Sequence, residues 1–204
     1  MWLEGLIPAD KMAALALFAF ASSITPGPNN IMLTASGVNF GFRHTIPHML
    51  GIGLGFMLLI ACIGFGLGAL FSAVPALALT VKVAGAIYML WLAWKIANSG
   101  EISQAGGVSG EPMSFLAAAG FQWVNPKAWV MGISAIALYT RPGHTIIDVL
   151  TVVLIFGAIN IPSVSIWAGF GHALRSYLSD PTRMRLFNRI MALLLVVSIA
   201  PMVM

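Results

Sequence analysis

Residues 12–40 read MAALALFAFASSITPGPNNIMLTASGVNF, a long apolar run broken in its middle by Thr25-Pro26-Gly27-Pro28-Asn29-Asn30. Pro26 and Pro28 lack N–H donors, and each ring clashes with the carbonyl four residues earlier, so no regular helix continues through them. The carbonyls of Ser22 and Ile24 are thereby freed. Asn29 or Asn30 is placed to N-cap a second half-helix running to about Phe40. Irregular backbone at membrane depth survives only where protein buries it or where it lines a wet cavity. The stretch therefore predicts a broken membrane helix around a polar site, with a plain proline kink as the simpler alternative. Freed carbonyls suit an ammonium group, and a half-helix N-terminus suits a carboxylate. A zwitterionic amino acid needs both.

The rest of the chain repeats the pattern. It has 204 residues, 59% hydrophobic and 8% charged, where a soluble domain carries about 25% charged residues. Six apolar stretches, at residues 12–40, 46–71, 74–97, 113–139, 146–173 and 186–204, are each near or above the roughly 20 residues that span a bilayer. The expected fold is a single all-α transmembrane domain over residues 1–204, with six transmembrane helices. The polar loop 99–112 divides it into a first repeat of about 1–98 and a second of about 113–204. Three spans per half make the halves an inverted-topology pair, a common transporter plan. Gly64-Phe65-Gly66 and Gly169-Phe170-Gly171 recur in spans 2 and 5. Lys11 followed by an apolar run and Ala19-Phe20-Ala21 imitates a cleaved leader, but Glu4 and Asp10 and the resumed apolar run favour a span.

Charge sets the orientation. The net charge is +4, ten Lys or Arg against six Asp or Glu, and the basic residues are spread along the chain. They mark membrane topology rather than a nucleic-acid partner. Arg43, Lys95, Arg175, Arg183, Arg185 and Arg189 fall on loops 1–2, 3–4 and 5–6, which should be cytoplasmic, with both termini outside. Trp91 and Trp94 beside Lys95 fit an inner interfacial belt, and Tyr139 beside Arg141 an outer one. The single cysteine, Cys62, lies in an apolar run and has no partners for a disulfide or a metal site. No catalytic residue, metal or cofactor is assigned.

The counterpart of the first break is Gln122-Trp123-Val124-Asn125-Pro126-Lys127 in span 4. Pro126 frees the carbonyl of Gln122. Lys127 stands about 20 Å of helix from either end of its span. A charge at that depth costs at least ~2.5–3.5 kcal/mol and marks function by default. Asn160-Ile161-Pro162-Ser163-Val164-Ser165 is a third polar break, which adds Asn160 and Ser163 to the cavity or is only a kink with hydroxyls bonded back to the helix. The candidate substrate-binding residues are Thr25, Pro26, Gly27, Pro28, Asn29, Asn30, Asn125, Pro126, Lys127 and Asn160. Gly51-x-x-x-Gly55 and Gly64-x-x-x-Gly68 allow close helix packing inside the monomer, or alternatively a homodimer face. No Asp or Glu lies in the interior of a span. Lys127, His48 and His172 are the candidate proton carriers, although both histidines sit near span ends and read first as interfacial.

Thr25-Pro26-Gly27-Pro28-Asn29, Gly41-Phe42-Arg43, the run Gly85-Ala86-Ile87-Tyr88-Met89-Leu90-Trp91-Leu92-Ala93-Trp94-Lys95 and Asn125-Pro126-Lys127 together resemble the LysE/RhtB amino-acid exporter superfamily. The resemblance covers essentially the whole chain. The double Asn and the Trp-Leu-Ala-Trp-Lys-Ile run are most similar to its cysteine/O-acetylserine exporter branch. The resemblance implies a multi-pass protein of the bacterial inner membrane. It implies proton-driven efflux of small neutral amino acids or derivatives, of the cysteine/O-acetylserine or homoserine/threonine type. Two other readings compete: a channel-like membrane subunit, and an intramembrane hydrolase using Ser109 of Gly107-Val108-Ser109-Gly110 with His144 or His172 as base. The four-residue match is weak, because Gly and Ser in a polar loop need no catalytic explanation.

Overall fold

The computed structural model describes residues 7–67, 73–99, 111–141 and 145–200. Among these residues there are eight α-helices and no strand. They are α1 (Ala9–Ile24), α2 (Pro28–Phe40), α3 (Phe42–Cys62, prolonged by a π-helical turn at Ile63–Leu67), α4 (Pro75–Ala97), α5 (Phe115–Phe121), α6 (Pro126–Tyr139), α7 (Thr145–Leu174) and α8 (Pro181–Val197). Three of the helices are long and apolar enough to cross a membrane unaided, over Phe42–Leu67, Leu79–Ala97 and Ile146–Leu174. Each half-helix is too short alone: α1, at 16 residues, is about 24 Å long against a hydrocarbon core of about 30 Å.

The chain breaks at the two places the prolines dictate, but the caps differ from the expected ones. α2 starts at Pro28, with Gly27 at the N-cap and no side chain capping it, so Asn29 and Asn30 lie inside the first turn. Proline is favoured at that first position because its missing N–H is one the helix leaves unpaired anyway. In the second half Asn125 does cap α6, its Oδ1 accepting from the Lys127 backbone N–H at 3.1 Å, with Pro126 next. At the third polar segment the chain stays helical, the simpler of the two expectations. α7 runs through Pro162 as one helix, and Ser163 and Ser165 donate back to the carbonyls of Ile159 and Ile161, each at 2.7 Å.

α7 is the central post. α1 and α2 follow one another along it, in the same direction. Phe18 packs edge-on to Phe156, Asn160 donates to Ser23, Trp167 donates to the Ile24 carbonyl, and Gly37 sits against Ala168 and His172. α3 runs the opposite way, with Phe42 near Gly169, Gly53 on Ile161 and Gly64 on Val149. α5 and α6 run alongside α3, where Gly51 meets Phe115 and Ala118, Gly55 meets Ala119, and Gly132 meets Ile60 and Ile63. α4 and α8 pair antiparallel through Met89, Leu92, Ala93, Ala192, Leu195 and Ile199. Small residues carry these contacts because two helices in lipid gain by close packing, not by burying oil from water. The α3 glycines are therefore used within the monomer. The recurring glycines do not play matching parts: Gly64 meets side chains of Val149 while its counterpart Gly169 lies near Phe42, and Gly66 faces open space while its counterpart Gly171 meets the Thr34 backbone.

At one end of the bundle Asn39 and Asn188 exchange side-chain hydrogen bonds (2.8 and 3.0 Å), and Asn188 also donates to the Ser99 carbonyl at 2.7 Å. Gly41, at φ +82, turns the chain between α2 and α3 beside Arg175. That left-handed conformation favours glycine. At the other end the Arg141 guanidinium forks onto Asp148 (2.9 and 2.7 Å), a carboxylate fully buried in the first turn of α7. Hydrogen bonds to Asp148 hold the Arg141 guanidinium above its ordinary range. The outer surface is apolar, with Leu17, Leu58, Ile87, Trp94, Val130, Leu138, Leu154 and Leu193 exposed. A soluble protein rarely exposes so wide an apolar belt; lipid tails are its natural solvent.

Candidate functional site

The two breaks face each other. Lys127, half-buried at the start of α6, reaches across to the first break and donates to the Thr25 carbonyl (2.7 Å), the Thr25 Oγ1 (2.9 Å) and the Pro26 carbonyl (3.4 Å). Its stem passes directly over Gly27, where any Cβ would lie 2.8 Å from Lys127 Cδ and 3.1 Å from Nζ. A Cβ there would push the lysine stem aside. Asn29 and Gln122 form a reciprocal amide pair between the breaks, at 2.8 and 3.2 Å.

The freed carbonyls do not stand open, as the sequence led one to expect. Ser22 O accepts from Thr25 Oγ1 (2.9 Å), Ser23 O and Thr25 O from Asn30 Nδ2 (2.9 and 2.8 Å), and Ile24 O from Trp167 Nε1 (3.2 Å). Backbone polar groups with no water nearby must find partners, and here the side chains of Thr25, Asn30 and Trp167 supply them.

Between the breaks lies a cavity of about 20 Å³, roughly one water. Gly27, Asn29, Asn30, Asn125, Lys127 and Asn160 line it. Thr25 and Pro26 serve through their hydrogen bonds to Lys127, while Pro28 and Pro126 act by starting α2 and α6. Ser22, Ser23 and Gln122 also line the cavity and were not among the expected residues. The two serines were legible as hydroxyls one turn before the break, and Gln122 as the polar residue opening the second motif. Ser163, the other residue weighed in α7, is tied to its own helix.

Two groups in the cavity wall have room for a partner. No side chain caps the N-terminus of α2. Asn160 is buried, donates to Ser23 Oγ at 3.0 Å, and leaves its Oδ1 with no hydrogen-bond partner. A buried acceptor left empty costs about 1–3 kcal/mol. The cavity thus offers a positive helix terminus and a lysine for an anion, and a bare carbonyl oxygen for a donor.

The histidines divide. His172 is exposed, near Gly41. His48 is buried, against its expected interfacial place, and neither ring nitrogen has a partner. Ser109 and His144 lie outside the described residues.

Comparison with known proteins bears on this arrangement. The LysE type translocator family matches residues 20–200 of the chain. The chain belongs to the LysE-type translocator family. Curated relatives from Escherichia coli, Shigella flexneri and Shigella sonnei are each named cysteine/O-acetylserine efflux protein. Each is 33% identical over 189 residues, covering 91% of this chain and 93% of the relative. No solved structure matches. As a member of a translocator family with long apolar helices, this chain is a multi-pass membrane transporter and not an enzyme. The LysE-type family match spans both breaks, so the paired half-helices lie within the part that defines the translocator.

Proposed function

We propose that this translocator exports small neutral amino acids or their derivatives, of the cysteine/O-acetylserine or homoserine/threonine type, from the cytoplasm across the bacterial inner membrane, driven by protons. One observation carries the reading: two interrupted helices meet around a buried cavity that presents Lys127, the uncapped N-terminus of α2 and the bare Oδ1 of Asn160. The substrate carboxylate would meet the α2 terminus and Lys127. Its ammonium would donate to Asn160.

The cavity is too small for an amino acid as it stands, so the breaks must part to admit one. Parting them stretches the Lys127–Thr25 and Asn29–Gln122 links together. A bound carboxylate can then replace Thr25 and Pro26 as the partner of Lys127. That exchange makes substrate binding and opening one event, as alternating access requires.

Six crossings follow if α1–α2 and α5–α6 each count as one. The helix directions support this, since α1–α2 runs with α7 while α3 and α5–α6 run against it. The inverted pair is supported in the same way: α1–α2 packs on α7 as α5–α6 packs on α3. The distribution of basic residues favours a cytoplasmic position for the Asn39–Ser99–Asn188 end, with both termini outside. Of the three expected proton carriers, His48 is buried and Lys127 half-buried, whereas His172 is exposed.

The test is uptake into inside-out vesicles with a panel of neutral amino acids, with and without a proton gradient. Saturable, gradient-dependent, counterflow-competent uptake is the expected result. Non-saturable flux without counterflow would mean a pore and would end this reading.

A further inference from the structure

The bundle end at which Asn39, Ser99 and Asn188 meet holds a second cavity, of about 270 Å³, more than ten times the central one. Its wall includes Asn39, His48, Tyr88, Trp91, Lys95 and Glu111. We propose that this cavity is a second binding site for a small zwitterionic amino acid, a loading site occupied before the central one. The inference rests on the export reading above and adds a site to it.

The charges choose the ligand. Lys95 and Glu111 lie in the same wall. A ligand with a carboxylate and an ammonium satisfies both, whereas a simple anion or cation leaves one of them unanswered. The cation is held in place: Lys95 Nζ lies 5.0 Å from the centre of the Trp91 ring, a favourable seat for an ammonium. Trp91 in turn stacks on Tyr88, with centroids 5.4 Å apart. Two stacked rings make a firm apolar wall for the carbon skeleton of a small amino acid.

His48 supplies the third contact. It lies six residues into α3, about 9 Å along the axis, deeper than Lys95 near the end of α4. It is 2% exposed, and neither ring nitrogen has a hydrogen-bond partner. Buried polar groups are nearly always paired, and an unpaired one calls for an explanation. A hydroxyl, thiol or ester on the substrate side chain would be its partner.

The cavity also leads somewhere. Its lining includes Met32 and Ala117, about one turn from Asn29 and about one and a half turns from Gln122 respectively. The amide pair of Asn29 and Gln122 therefore stands between the two cavities.

Equilibrium binding of radiolabelled O-acetyl-L-serine to the purified full chain in lipid nanodiscs tests the proposal. Wild type should bind two equivalents per chain. Lys127→Ala should keep the loading-site equivalent, while Lys95→Gln or Trp91→Ala, both at exposed positions, should keep the central one and weaken the other at least tenfold. His48→Gln should weaken that same equivalent. One equivalent, lost in Lys127→Ala but untouched by Lys95→Gln and Trp91→Ala, would overturn the loading site and leave the export reading intact. One equivalent with the opposite pattern would keep the loading site and overturn the central one. No binding at all would overturn both.

Discussion

Truncating Lys127 to Ala separates a functional ammonium from a structural one. In the described state Nζ holds two carbonyls and a hydroxyl of the first break. Removal leaves the Thr25 carbonyl with Asn30 and leaves Thr25 Oγ1 on the Ser22 carbonyl. The local loss is therefore partly covered. Deleting a charge at membrane depth also recovers about 2.5–3.5 kcal/mol of insertion cost. The two effects offset, so the amount of folded protein in the membrane should match wild type. Transport should not. A hydrogen bond to a charged partner contributes about 1.5–3 kcal/mol, which is roughly ten- to hundredfold in affinity for the substrate carboxylate. The switch that couples substrate binding to opening goes with it. The assay is initial-rate uptake of O-acetyl-L-serine into inside-out vesicles at subsaturating concentration, normalised to chain quantity by immunoblot. Near-normal rates at equal protein would refute the reasoning, as would a variant missing from the membrane.

Three further perturbations follow. Asn29→Leu and Gln122→Leu, combined in a double-mutant cycle on thermal unfolding in detergent, should show a coupling of about 1–2 kcal/mol; additivity would mean that the amide pair does not hold the breaks together. Gly37→Leu should abolish recovery of folded protein by size-exclusion, because its Cβ would fall on the Ala168 backbone, which cannot move aside as a flexible side chain can; a monodisperse variant would contradict the packing described. Arg141→Ala should lower the melting temperature, because it takes the guanidinium away from the buried Asp148 carboxylate, with Asp148→Asn restoring part of the loss; an unchanged melting temperature would show that Asp148 needs no partner.

The fold was legible wherever a residue's chemistry acts on its own neighbours. Pro26, Pro28 and Pro126 remove donors from the chain beside them, so both breaks could be read without knowing what packs against them. Even the start of α2 was available from Pro28, once proline's preference for the first helical position is set above the capping strength of Asn29 and Asn30. Pro162 left two readings open in sequence; the helix continues because one proline costs it a single hydrogen bond, and the packing of α7 on three neighbours absorbs that cost. What was not legible is pairing at long range. Lys127 finds Thr25 at a separation of 102 residues, so the carbonyls that look vacant in sequence are filled in space. Asp148 lies at the apolar edge of its span, and nothing local shows that it is buried under Arg141. His48 was misplaced for the same reason: nearness to a span end says nothing about which neighbour covers the side chain.

The central claim is that an amino acid binds between the two half-helix ends. A cryo-electron microscopy map of the chain in nanodiscs with saturating O-acetyl-L-serine puts it to the most direct trial. The account predicts density between the α2 N-terminus and Asn160, with Lys127 drawn off Thr25 onto the ligand and the Asn29–Gln122 pair parted. A ligand bound elsewhere, with Lys127 still seated on Thr25 and the cavity closed, would contradict it.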